Sequence, residues 1–67
     1  MKFRMFTENV NGRKVAVNVD RVMHIQIGGR YNEATEIWMD GHGEDAVVIE
    51  VKEDFDTVFS RLNTIAE

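Results

Sequence analysis

The chain has no cysteine and no proline among its 67 residues, and only two histidines and one tryptophan. Without cysteine there is no disulfide to staple the fold and no thiolate to hold a metal. No apolar run approaches the roughly 20 residues of a membrane-spanning helix. The opening MKFRMFTENV lacks the continuous apolar stretch of a secretory signal. The expectation is a cytoplasmic protein with no membrane partner. Basic residues are outnumbered, with 8 Lys and Arg against 12 Asp and Glu, a net charge of -4 and a pI near 5.0. That balance argues against a general nucleic-acid binder, whose binding domain is normally basic.

What is present describes a folded domain. At 43% hydrophobic and 30% charged, the composition is not that of a disordered tail. No repeat, linker or low-complexity tract divides the chain, so residues 1–67 read as one domain. In a domain this small, apolar burial and lost chain entropy nearly cancel. The margin must come from good local structure or from association with another chain. Charge is unevenly spread. Residues 1–31 carry a balance of +4 and residues 32–67 a balance of -8. Either strands from the two halves pair and mix the charges, or the surface is two-signed and orders an assembly.

Hydrophobic periodicity is two-fold to about residue 51 and then 3.6-fold. Strands are expected at about 3–10, 13–19, 22–28, 35–40 and 46–51, and a helix at about 54–66. Asn11-Gly12 is a strong hairpin signal, because both residues tolerate positive φ. Asp20-Arg21 reads as a short turn, and Gly28-Gly29 ends the third strand. Alternation places Val15, Val17, Val19, Met23, Ile25, Ile27, Ile37, Met39, Val47, Ile49 and Val51 inward. Phe55, Val58, Phe59, Leu62, Ile65 and Ala66 form one helical stripe that should lie on the sheet. Asp54 is the expected N-cap, with acids in the first turn favoured by the helix dipole. The fold class is therefore α+β: a five-stranded, mostly antiparallel meander with one C-terminal helix packed on one face.

The opposite face collects Lys2, Arg4, Phe6, Lys14, Ala16, Asn18, His24, Gln26, Glu36, Trp38, Asp40, Val48 and Glu50. Most are polar, as a solvated face requires. Phe6, Trp38 and Val48 are not. Trp38 either closes one edge of the core or anchors a partner, with Phe6 and Val48 beside it and Arg4, Lys14 and Glu36 on the rim.

Catalytic chemistry is not supported by the residue types. With no cysteine, a nucleophile would have to be Ser60 or a threonine, and Ser60 has no histidine near it in sequence. His42, Glu44 and Asp45, preceded by Asp40, space alternate donors through one loop, but two histidines in the whole chain fall short of a zinc site. The GHGED segment instead reads as a turn using glycine for positive φ. The acids 44, 45, 50, 53, 54 and 56 read as a solvated face and a helix start rather than a glycosidase pair. Gly28-Gly29-Arg30 is followed by another strand, not the helix a phosphate loop needs. No catalytic residue, metal or cofactor is expected. The best ligand alternative is an anion, nucleic acid or nucleotide, contacted by Arg4, Arg13, Lys14, Arg30 and Tyr31.

The order Asn11-Gly12, then Asn18-Val19-Asp20-Arg21-Val22, then Thr35-Glu36-Ile37-Trp38-Met39-Asp40-Gly41, then Val48-Ile49-Glu50-Val51-Lys52-Glu53 running into a helix resembles the FlbD-like family of small flagellar proteins. The likeness spans most of residues 8–62. Val19 stands where that family usually has proline, and the loops at 28–34 and 41–45 are longer here. The resemblance implies a non-enzymatic accessory role and carries over no catalytic residue. The expected function is a protein-interaction or assembly module that associates with itself as a dimer or larger homo-oligomer. The alternative is a small regulator or inhibitor, of the kind mobile elements encode, that holds nucleic acid or a nucleotide.

Overall fold

The strands fall where two-fold periodicity places them. They are β1 (Phe3–Thr7), β2 (Lys14–Asn18), β3 (Val22–Gly28), β4 (Ala34–Gly41) and β5 (Glu44–Val51), followed by the helix α1 (Phe55–Asn63). This computed structural model describes residues 2–41 and 44–63, with side chains except those of 44 and 45. The expected helical positions Ile65 and Ala66 lie outside the described residues.

The sheet is not one meander. β1 pairs antiparallel with β2, while β3, β4 and β5 form a separate antiparallel sheet in that order. The interruption lies at Asn18, whose side chain accepts a hydrogen bond from the Asp20 backbone N–H at 3.0 Å. That contact folds Val19–Arg21 into a 3-10 turn, so the chain leaves β2 without running back beside it. β1 approaches β5 instead. Glu8 bridges Val51 antiparallel. The Lys52 N–H donates to the Thr7 carbonyl at 2.8 Å, and the Asn9 N–H to the Glu50 carbonyl at 3.0 Å. The two sheets are thus joined where β1 ends and β5 ends.

The core sits where the sheets and helix meet. Phe6, Val17, Ile37, Val51 and Val58 are its fully buried members, with Val15, Val22, Ile25, Met39, Ile49 and Leu62 packed against them. Phe6 corrects a sequence expectation: it is 1% exposed rather than on the solvated face. Register explains this. Phe6 lies opposite Val15, and Arg4 opposite Val17, and directly opposed residues share a face. Phe3 and Met5 are therefore the exposed pair of β1.

Other inward positions are also revised. The β3–β4 register passes from Val22↔Met39 to His24↔Trp38, so Met23 is an extra residue in a bulge and is exposed. Ile27 lies on the outermost strand of its sheet, and Val47 lies opposite Met39 in the middle of β5; both are largely exposed. Val19 is only half-buried, in the 3-10 turn. Phe59 is 55% exposed and stacks on Phe55 instead, ring centroids 6.3 Å apart. A nine-residue helix is only about 14 Å long at ~1.5 Å per residue and cannot cover five strands.

Asp54 caps α1 as expected. Its Oδ1 accepts the Thr57 backbone N–H at 2.9 Å. Hydrogen bonds from the Thr57 side chain and backbone hold the Asp54 carboxyl below its ordinary value of 3.8. A carboxyl with a depressed folded value contributes stability above its unfolded value and loses it as pH falls through the folded one. Asp54→Ala is therefore expected to lower the thermal midpoint at neutral pH. The gap from the parent chain should close once pH drops well below 3.8, as thermal melts followed by circular dichroism at the two pH values would show. A gap that persists in acid would contradict the cap.

Candidate functional site

The three-stranded sheet has one face in the core and one outside. Register sorts them into rows. Ile25, Ile37 and Ile49 lie opposite one another on the inner face, with Ile37 fully buried. The neighbouring outer row is His24, Trp38 and Val48, followed by Gln26, Glu36 and Glu50. The indole of Trp38 stacks on the His24 ring with centroids 5.2 Å apart and planes inclined by 18°. Its Nε1–H donates to Glu36 Oε1 at 3.1 Å. His24 Nε2 lies 3.2 Å from Gln26 Oε1. These neighbours hold the indole in one orientation with its polar edge satisfied, while Trp38 stays half-buried and Val48 is 42% exposed. Trp38 therefore lies outside the core, as the middle of a short apolar and aromatic row bordered by Glu36, Asp40 and Glu50.

The six expected interface residues do not all meet. Glu36, Trp38 and Val48 share this face. Phe6 is in the core. Lys14 is exposed on β2 opposite Thr7. Arg4 turns to the helix, its Nε donating to the Arg61 carbonyl at 3.2 Å.

Sequence reasoning missed a second cluster, around Glu53 and Arg61. Glu53 Oε1 accepts the Thr7 backbone N–H at 3.0 Å, and its backbone carbonyl accepts the Thr35 hydroxyl at 2.8 Å. Arg61 Nη1 donates to the Met5 carbonyl at 2.8 Å and stands 3.6 Å from Glu53 Oε2. The Arg61 guanidinium also lies over the Phe6 ring, 5.5 Å from its centroid. Two side chains thus occupy backbone groups of β1 that another strand would otherwise pair. Glu53 reads in sequence only as one more acid near a helix start, so nothing there singles it out.

The anion-contact residues are spread as well. Arg13 follows the Asn11-Gly12 turn, where Asn11 Oδ1 accepts the Arg13 N–H at 2.9 Å and Gly12 takes φ +73°. Arg30 and Tyr31 are exposed in the loop between β3 and β4. There the Glu33 carboxylate accepts the Tyr31 N–H at 2.8 Å. That bond, backed by the Glu33 backbone N–H and the Asn9 side chain, lowers the Glu33 carboxyl below its usual range. Gly29, at φ +86°, leaves room for this carboxylate. Arg4 lies apart from this loop, engaged with the end of α1.

A groove of about 290 Å³ runs between that loop and the helix start, lined by Ile27, Glu33, Asp54, Phe55 and Asp56 among others. Glu33 and Asp54 both have lowered carboxyls, the opposite of what a general acid needs. Among the described residues no group of three His, Cys, Asp or Glu side chains comes together to hold a metal ion. The His42, Glu44 and Asp45 side chains of the sequence-based metal alternative lie outside the described residues. No helix among the described residues is long and apolar enough to cross a membrane. No protein-family model, curated protein or solved structure matches the chain.

Proposed function

We propose that this chain is a non-enzymatic protein-interaction module that associates with itself through its three-stranded sheet. The observation that carries the reading is the outer row His24–Trp38–Val48. An indole held by stacking and by one hydrogen bond, with an exposed valine beside it and acids around it, has the composition of an interface centre. A rigid aromatic side chain loses little freedom on contact. The accessory role implied by the resemblance to the FlbD-like family agrees with this reading. A nucleic-acid role draws less support, because Glu33 lies in the loop that carries Arg30 and Tyr31, and Arg4 is engaged elsewhere.

Substitution of the indole tests the reading. Trp38→Ala is expected to weaken self-association by about 2 kcal/mol or more, some thirtyfold in dissociation constant. Light scattering on a dilution series of the parent and the variant, each checked for fold by circular dichroism, reads the change directly. A folded variant whose association curve coincides with the parent's would remove Trp38 from the interface.

A further inference from the structure

We propose that a second copy of this chain pairs with β3 along its open edge, antiparallel, in the register that sets Ile25 opposite Ile25. The inference rests on the self-association reading above and adds to its Trp38 face a second, separate contact along the sheet edge.

The edge is singled out by comparing the strands. β1 has β2 on one side, while Glu53, Arg61 and the end of β5 occupy its other side. β2 has five residues and begins with Lys14. β5 meets β1 only at its end and carries the acids Glu44, Asp45 and Glu50. β3 is the outermost strand of its sheet, and its seven residues Val22–Gly28 include no Lys, Arg, Asp or Glu. Charges, proline, short length and bulges are what keep sheet edges from pairing; of these β3 has only the bulge at Met23, and its pairing with β4 is regular from His24 to Gly28.

The occupant follows from the sequence of the strand itself. In the proposed register Met23 faces the partner's Ile27, His24 faces Gln26, and Ile25 faces Ile25. Apolar residues meet apolar and polar meet polar, which is the matching that stabilises opposed strands. Met23 and Ile27, 57% and 55% exposed, gain cover. The inner row Ile49–Ile37–Ile25 continues into the same row of the second copy. Charge selects the direction. Exposed Asp20 precedes β3 and exposed Arg30 follows it. Arg21 is drawn to Asp40 at 3.7 Å, and Glu33 is turned onto its own loop. Antiparallel pairing brings Asp20 of one copy toward Arg30 of the other at both ends, whereas parallel pairing sets like charges together. The six-stranded sheet that results presents both Trp38 side chains on one face, three strand spacings apart and offset by two residues along the strands, about 16 Å in all.

The test uses the full chain, which has no native cysteine to interfere. Ile25→Cys is expected to form a disulfide-linked dimer under a mild oxidant, since opposed residues bring Cα atoms within disulfide reach. Ala16→Cys, exposed on β2, is expected to cross-link far more slowly. Asp20→Arg and Arg30→Asp should each weaken the dimer several-fold by light scattering, and the two together should restore it; both sites are exposed turn positions, so the fold is retained. Cross-linking of Ile25→Cys no faster than of Ala16→Cys, or charge reversals without effect on a parent dimer, would overturn this register while leaving self-association intact. A parent chain that stays monomeric at every concentration would overturn both.

Discussion

Phe6→Ala is expected to cost about 3–5 kcal/mol. A 67-residue domain has a total stability of only about 3–10 kcal/mol at typical values per residue. The substitution therefore leaves the chain largely unfolded or lowers its thermal midpoint by more than about 10 °C. The ring is 1% exposed, stands opposite Val15, and carries the Arg61 guanidinium 5.5 Å from its centroid. Truncation removes its apolar contacts with the two-stranded sheet and its stacking with the helix's last turn. Phe6→Leu, which keeps most of the volume, should cost less than half as much. Urea denaturation of the three proteins measures the difference. A loss below about 1 kcal/mol for Phe6→Ala would mean that the ring does not fill the core.

Glu53→Ala is the second large effect, and its cause is polar. The Glu53 side chain is 16% exposed and faces Arg61 at 3.6 Å, while accepting the Thr7 N–H at 3.0 Å. Removing it leaves a partly buried backbone donor without its partner, at a cost of about 1–3 kcal/mol. It also frees the Arg61 side chain that covers the Met5 carbonyl. Glu53→Gln retains an amide oxygen that can accept from Thr7 and should lose less. Amide hydrogen exchange offers a local check. Protection at Thr7 should fall in Glu53→Ala and be mostly kept in Glu53→Gln. Equal losses in both variants would place the contribution in the charge and not in the hydrogen bond.

These two residues also mark what the sequence allowed and what it did not. Strand and helix positions were legible, because the isoleucines and valines of β3, β4 and β5 alternate and Val58 and Leu62 follow helical spacing. Asp54 was legible as a cap, since the N–H groups at a helix start need an acceptor. Phe6 was not. Both faces of β1 carry large apolar residues, Phe3 and Met5 against Phe6, so alternation alone leaves the phase open and the register with β2 decides it. The division into two sheets was hidden too, because it depends on Asn18 folding the next three residues into a turn. Met23 misleads through its bulge. On the outer face, Trp38, Val48 and Glu36 were found by period two, which is a local rule. Arg4 and Lys14 were grouped with them by the same rule, yet they belong to the other sheet, and only the tertiary arrangement separates those faces.

We propose, above all, that this chain uses its three-stranded sheet to bind another copy of itself. The most direct measurement is the solution mass of the parent chain by light scattering across a dilution series. Self-association through the sheet gives a species of twice 7.7 kDa or larger at high concentration, falling toward 7.7 kDa on dilution. A mass that stays at 7.7 kDa over the whole series would contradict it.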